Sequence, residues 1–447
     1  MSYKRISQAA ATVLAAGLAS AVLPAATAGA ASGAVPLPMA HYAHMLVDPA
    51  HQHVFFSGGA GSTGILVTDY SGSTVATVPG ETGADGLALS PDGSTVYAAL
   101  GSTDAVSAIS TSTLTETDRY ATGTGTDPQS VAWSAGKVWF GYTGTAPFGG
   151  IGSIDPAATP AAVTLKATGD NWYGAPILAA TPGGELVAGE PGQSPAELAS
   201  YDVSGSSVSL HARRLLIDGS SVSSNLGDLA ITPDGKDILT ACGAPYQHQL
   251  FTTADLTPDG AYDSTNYPDA VAVGADGTVF AGSDSYYGDS VYVFAPGNPS
   301  ALASYSVGPD TDLAPAGVAV TPDDATLFAV STDVYGDNPT LHILQNPAQT
   351  AATLTVTGPA TVHRHGTVTL TGSLGGTAPY AGGQTLHVTR TGGGTAATAL
   401  PDVTTAPDGS FTVTDSPRGS GTFTYQVSYD GSAHLAASTG SATVLIK

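Results

Sequence analysis

The chain has 447 residues, with 12 Lys and Arg against 36 Asp and Glu, a formal net charge of −24 and one cysteine. That balance disfavours nucleic acid and anionic lipid, whose phosphates call for Lys and Arg, and a single cysteine excludes an intrachain disulfide. The acid is concentrated in one part: residues 31–351 hold six basic and 32 acidic residues, whereas 352–447 hold four of each.

Residues 1–30 read as a secretory signal, with Lys4 and Arg5, an apolar run from Ala9 to Val22, and small residues up to Ala26-Thr-Ala28. The apolar core is shorter than the ~20 residues that span a bilayer. Cleavage after Ala28 or Ala30, export as a free protein and no membrane insertion are therefore expected.

From there the chain repeats one unit. Its clearest copy is Gly86-Leu-Ala-Leu-Ser-Pro-Asp-Gly-Ser-Thr-Val-Tyr-Ala-Ala-Leu100, two short strands joined by a Ser-Pro-Asp-Gly turn. Pro91 presets φ for the turn, Asp92 bonds its own backbone and Gly93 takes the left-handed position. Further copies start at Val47, Trp133, Ala180, Ile231, Val273 and Val320, seven units in all, with 42 residues from Pro49 to Pro91 and 89 across two repeats from Pro233 to Pro322. A period near 45 made only of short strands is the signature of four-stranded propeller blades, so a seven-bladed β-propeller is expected over 34–347. In the second blade the strands fall at 86–90, 95–100, 105–110 and 115–121. The seventh blade has three evident strands, and the extended segment 34–41 is expected to supply its fourth and close the ring.

The unit Gly-x-Ala-x-(Ser/Thr)-Pro-Asp-Gly-x-x-(Val/Leu)-(Tyr/Phe)-(Ala/Val) resembles the repeats of YVTN/YncE-like and lactonase-like seven-bladed propellers. This resemblance implies the fold. It carries no catalytic residue onto this chain, because no position matches an active-site motif of those enzymes.

A short linker at 348–352 leads to longer alternating strands at 353–357, 367–373, 384–390, 410–414, 422–429 and 441–446. The pattern predicts a β-sandwich over 353–447. It resembles the immunoglobulin-like repeats of secreted bacterial proteins, used as spacers or adhesive modules.

Three groups of residues are candidate sites. Asp284, Asp289, Asp333 and Asp337 lie in the similar loops Ser283-Asp-Ser-Tyr-Tyr-Gly-Asp289 and Ser331-Thr-Asp-Val-Tyr-Gly-Asp337, where four carboxylates in one sector would suit Ca2+, the one candidate cofactor. Asp85, Asp127, Asp228 and Asp269, with Asp312, precede inner strands and would form an acidic ring at the channel mouth, unless each bonds its own turn. Phe148, Trp172, Tyr173, Tyr246, Tyr286, Tyr287 and Tyr335 fall in B–C or D–A loops, which share one propeller face, and offer stacking surfaces for a sugar or a flexible peptide. The pairs His51/His53 and His363/His365 lack a third ligand and read as surface residues, and Cys242 reads as a small buried hydrophobe.

The expected protein is a monomeric, exported, non-enzymatic binder of an extracellular glycan, peptide or protein, with no nucleic-acid partner. The alternative is a cation-dependent extracellular hydrolase or lyase of the lactonase-like kind.

Overall fold

The computed structural model describes residues 32–447 except 145–147, 220, 265, 286–287, 310 and 377–379. The expected signal segment 1–30 thus lies outside the described residues. Those described form seven antiparallel four-stranded sheets, a two-stranded ribbon of Ile217–Asp218 with Ser221–Val222, and a C-terminal pair of sheets.

The repeated turn makes each blade. In blade 2 the Ser90 amide donates to the Thr95 carbonyl at 2.8 Å, Gly93 N–H returns to the Ser90 carbonyl at 2.9 Å, and Thr95 N–H reaches Ser90 Oγ at 3.0 Å. Asp92 Oδ1 accepts from Ser90 Oγ at 2.6 Å and from Ser94 N–H at 3.1 Å. Gly93 sits at φ +70°, where a side chain is disfavoured. Thr232-Pro-Asp-Gly235 repeats this geometry with Gly235 at φ +74°. In Thr321-Pro-Asp-Asp324 the left-handed position goes to Asp324, at φ +57°.

Blades 1 to 6 run in chain order over 44–79, 84–121, 128–164, 177–215, 224–262 and 267–305, each a meander from the inner strand A to the outer strand D. Inner strands hold small apolar residues because they crowd the axis. A Cβ on Gly86 would lie 2.8 Å from the Gln129 carbonyl oxygen of the next blade, and one on Gly227 would lie 3.0 Å from that of Asp269. Between blades pack clusters such as Phe55, Ile65, Leu87, Val96 and Ile109, all buried, each side chain of this size stabilising by about 1.5–3 kcal/mol.

Blade 7 takes its strands from both ends of the ring. Asp312–Val320, Thr326–Thr332 and Thr340–Gln345 are joined by Ser32–Pro36, which pairs antiparallel with the third strand, Ala34 opposite His342. The paired stretch therefore begins earlier than 34 and ends at Pro36. Just beyond it the Leu37 amide still donates to the Pro339 carbonyl at 2.9 Å, and His41 makes an isolated bridge to Asp337.

The C-terminal part is a sandwich of a three-stranded and a five-stranded sheet. Its core includes Leu370, Leu386, Tyr425, Val427 and Val444. Two strands lie outside the expected ranges, the short Thr361–Val362 and the longer Thr395–Thr404. The longer one contains Pro401, which argues against a central strand and is tolerated because this strand is the sheet's edge. The sandwich contacts the propeller on the face of the A–B and C–D turns, where Ala295 joins the sandwich core and the Tyr380 and Thr278 hydroxyls lie 2.9 Å apart. The B–C and D–A loops lie on the opposite face.

Candidate functional site

Five of the seven inner strands carry a register shift, the one in blade 7 lying between Leu313 and Val318, whereas His44–Asp48 and Ile177–Ala180 pair without one; the other four lie near the strand start. These four fall between Ala84 and Leu87, Pro128 and Ser130, Leu226 and Asp228, and Pro268 and Ala270. Such bulges re-aim side chains, and here they decide where the acidic residues point. Asp85 and Asp269 both lie within the bulge, Asp228 lies one position past it, and Asp127 precedes its strand altogether. The four acids are therefore not equivalent members of a ring.

Asp85 and Asp228 face one cavity of about 140 Å3 at the axis, lined also by His44, Gly86, Gln129, Ser130 and Ile177. Burial, and then the Asp127 carboxylate, pushes Asp85 up to about 6. Burial pushes Asp228 up to about 7, against two hydrogen bonds that favour its charge. These come from the Val271 amide of the next blade at 2.9 Å and from the Leu229 amide at 2.8 Å. The same burial holds the His44 imidazole down at about 4, so it is neutral. Asp269 is 6 % exposed, with Oδ1 lacking a partner, and is raised well above the carboxylate range by burial and by Asp284, Asp228 and Asp312. Asp127 instead sits at φ +48°, accepts from Gln129 Nε2 at 3.1 Å and gives its own amide to Asp104. Among the described residues no three of these axial acids place ligand atoms within 4.8 Å of one another. The expected acidic mouth is thus not a preformed cation cage among the described residues: in Asp85, Asp228 and Asp269 burial favours the protonated carboxyl.

The second carboxylate set does not converge either. Asp284 turns inward to Asp312 and Asp269, and Asp289 accepts from Ser304 Oγ at 2.5 Å. Asp333 closes its own turn through the Tyr335 and Asp337 amides and Asn338 Nδ2. Asp337 pairs with His41 at 2.9 Å. The loops are neighbours, but each acid is committed to a different partner. The proposed Ca2+ sector of Asp284, Asp289, Asp333 and Asp337 is corrected accordingly.

The aromatic face fares differently. Tyr173, Tyr246 and Tyr335 are 71 %, 62 % and 86 % exposed, and Phe148, 41 % exposed, meets Tyr173 edge to face at 5.9 Å. Tyr173 is held by Glu190, a buried carboxylate that accepts the Tyr173 and Gly174 amides at 2.9 and 3.0 Å. Trp172 is a correction: it is 1 % exposed and packs beneath the Arg213 guanidinium, 4.6 Å from its ring. Of this adjacent pair Tyr173 turns outward, and the larger Trp172 fills the core between blades 3 and 4. Tyr286 and Tyr287 lie outside the described residues.

Of the two histidine pairs, His363 and His365 are exposed. His51 bonds Asp48 at 2.7 Å and stacks on His53, whose Nδ1 is buried without a partner. Cys242 is buried, with its thiol pushed up to about 12 by burial.

No family model matches the chain, and no curated protein matches it. Solved structures do resemble it. Hydrazine synthase of Kuenenia stuttgartiensis aligns over 69 % of this chain and 96 % of its own, with a TM-score of 0.53 and 18 % identity. A gluconolactonase of Xanthomonas campestris aligns over 71 % of this chain and 89 % of its own, with a TM-score of 0.43 and 13 % identity. The likeness to the first is one of fold: the chain contains a β-propeller. At such identities neither activity transfers.

Proposed function

We propose that this is an exported binding protein, not an enzyme, which holds an extracellular glycan, peptide or protein on the B–C and D–A loop face of its propeller. The observation that carries the reading is the set of outward tyrosines, Tyr173, Tyr246 and Tyr335, on the face away from the sandwich and beside acidic loops. Rings with large exposed area and few torsions bind at low entropic cost. The neighbouring carboxylates supply acceptors that orient hydroxyl or amide groups. The resemblance to YVTN/YncE-like repeats and to immunoglobulin-like modules fits a secreted protein with a spacer.

The hydrolase or lyase reading asks for convergent carboxylates at the axis, and Asp85, Asp127, Asp228 and Asp269 do not supply a set of three within ligand spacing. The binding reading is therefore preferred.

Its test uses the exported chain on glycan and peptide arrays, beside the triple variant Tyr173→Ala, Tyr246→Ala, Tyr335→Ala. Retention of one ligand class is expected, with at least about tenfold weaker binding in the variant and an unchanged melting temperature. Binding undiminished by the triple change, or no retained ligand, refutes the assignment.

A further inference from the structure

A second cluster lies on the opposite face, where the sandwich meets blades 6 and 7. Asp276 comes from the A–B turn of blade 6, Asp324 from that of blade 7, and His434 from the sandwich loop before its last strand. Each offers one ligand atom, and the three atoms lie within 4.8 Å of one another. His434 Nε2 is 2.7 Å from Asp276 Oδ2.

Every member is held in place. Asp324, 4 % exposed, accepts the Ala275 amide at 3.1 Å, and Asp276 accepts the Thr278 amide at 2.9 Å. The Tyr380 ring stacks on the His434 imidazole at 4.0 Å and 13°, and its hydroxyl is anchored to Thr278. The His434 carbonyl accepts the Thr350 amide at 2.8 Å, and His434 Nδ1 is buried without a partner, so the ring addresses the cluster through Nε2.

Two carboxylates meet here, one of them buried, and no Lys or Arg forms a salt bridge to either among the described residues. Two like charges in contact cannot both persist without a proton or a cation between them. Asp276 also lines an adjacent cavity of about 500 Å3 with Asp234, Asp237 and Asp259, whose field concentrates cations. That cavity leaves room for water to complete the coordination.

We propose that Asp276, Asp324 and His434 bind one divalent transition-metal ion that staples the sandwich to the propeller. One imidazole nitrogen with two carboxylate oxygens suits Zn2+ or Mn2+, whereas Ca2+ takes oxygen ligands alone. The ion would replace a three-way contact between distant segments with coordinate bonds and so fix the orientation of the two domains.

The test is calorimetric titration of the chelator-washed exported chain with Zn2+ and separately with Mn2+, paired with limited proteolysis of the 346–352 segment. One equivalent of metal bound, a raised melting temperature and slower cleavage of that segment are expected. Both His434→Ala and Asp324→Asn should weaken binding at least about tenfold; Asn tolerates the left-handed backbone of position 324, so the second variant guards against misfolding. No binding of either metal overturns the proposal. So does binding that survives both substitutions, which places the ion among Asp234, Asp237 and Asp259, and so does a junction that responds to pH but not to metal, which makes the shared species a proton.

Discussion

Asp85 provides a clean measurement of what the axial cavity costs the fold. No side-chain hydrogen bond is made by its carboxyl among the described residues, and it lines the cavity with Asp228 and His44, so Asp85→Asn removes a charge and almost nothing else. Its pKa rises from 3.8 to about 6, so the native state binds this proton roughly a hundredfold more tightly than the unfolded chain. At about 1.4 kcal/mol per tenfold, the bound is about 3 kcal/mol, and water reaching the cavity lowers the working figure to about 2 kcal/mol. The sign follows from linkage: a raised carboxyl pKa costs nothing below the unfolded value, and stability is lost as pH climbs from 3.8 through about 6. The variant should therefore match the wild type at about pH 4 and exceed it by about 2 kcal/mol at about pH 8, or some 4 °C in a domain of this size. Urea unfolding of both proteins across that range reads the difference directly. A gain independent of pH, or a loss at pH 8, would refute the account of Asp85 as a desolvated acid.

Two further outcomes follow from the packing. Removing residues 32–36 strips the third strand of blade 7 of its outer partner among the described residues and leaves an open edge; the melting temperature should fall by several degrees and the protein should self-associate in light scattering, whereas an unchanged melt would mean that the ring holds without this strand. Cys242, buried with its thiol pushed up to about 12, should resist thiol reagents in the native state and react stoichiometrically in urea; rapid native labelling would contradict its burial.

How much of this was legible in advance depends on whether the signal was local. The Ser-Pro-Asp-Gly turn, the small apolar inner strands and the period near 45 are properties of neighbouring residues, and they determine the blade, the repeat number and thus the propeller. The outward tyrosines were readable for a related reason: an aromatic ring in a short loop between strands has little to bury against. Trp172 departed from that reading because a gap between two blades needed filling, and such a gap has no trace in the local sequence.

Placement of the charged groups was decided only by tertiary structure. Asp85, Asp127, Asp228 and Asp269 look alike in sequence, but a one-residue bulge reverses the direction of a side chain on a strand, and so they reach different surroundings. Asp276, Asp324 and His434 are separated by 48 and 110 positions. Each is unremarked in its own segment, and nothing short of closing the ring and docking the sandwich brings them together. The sequence by itself determined the repeated unit, because turn chemistry and strand alternation act over a few residues. The cavity, its proton-holding acids and the junction cluster arise from desolvation and from contacts between remote segments, which the tertiary structure alone creates.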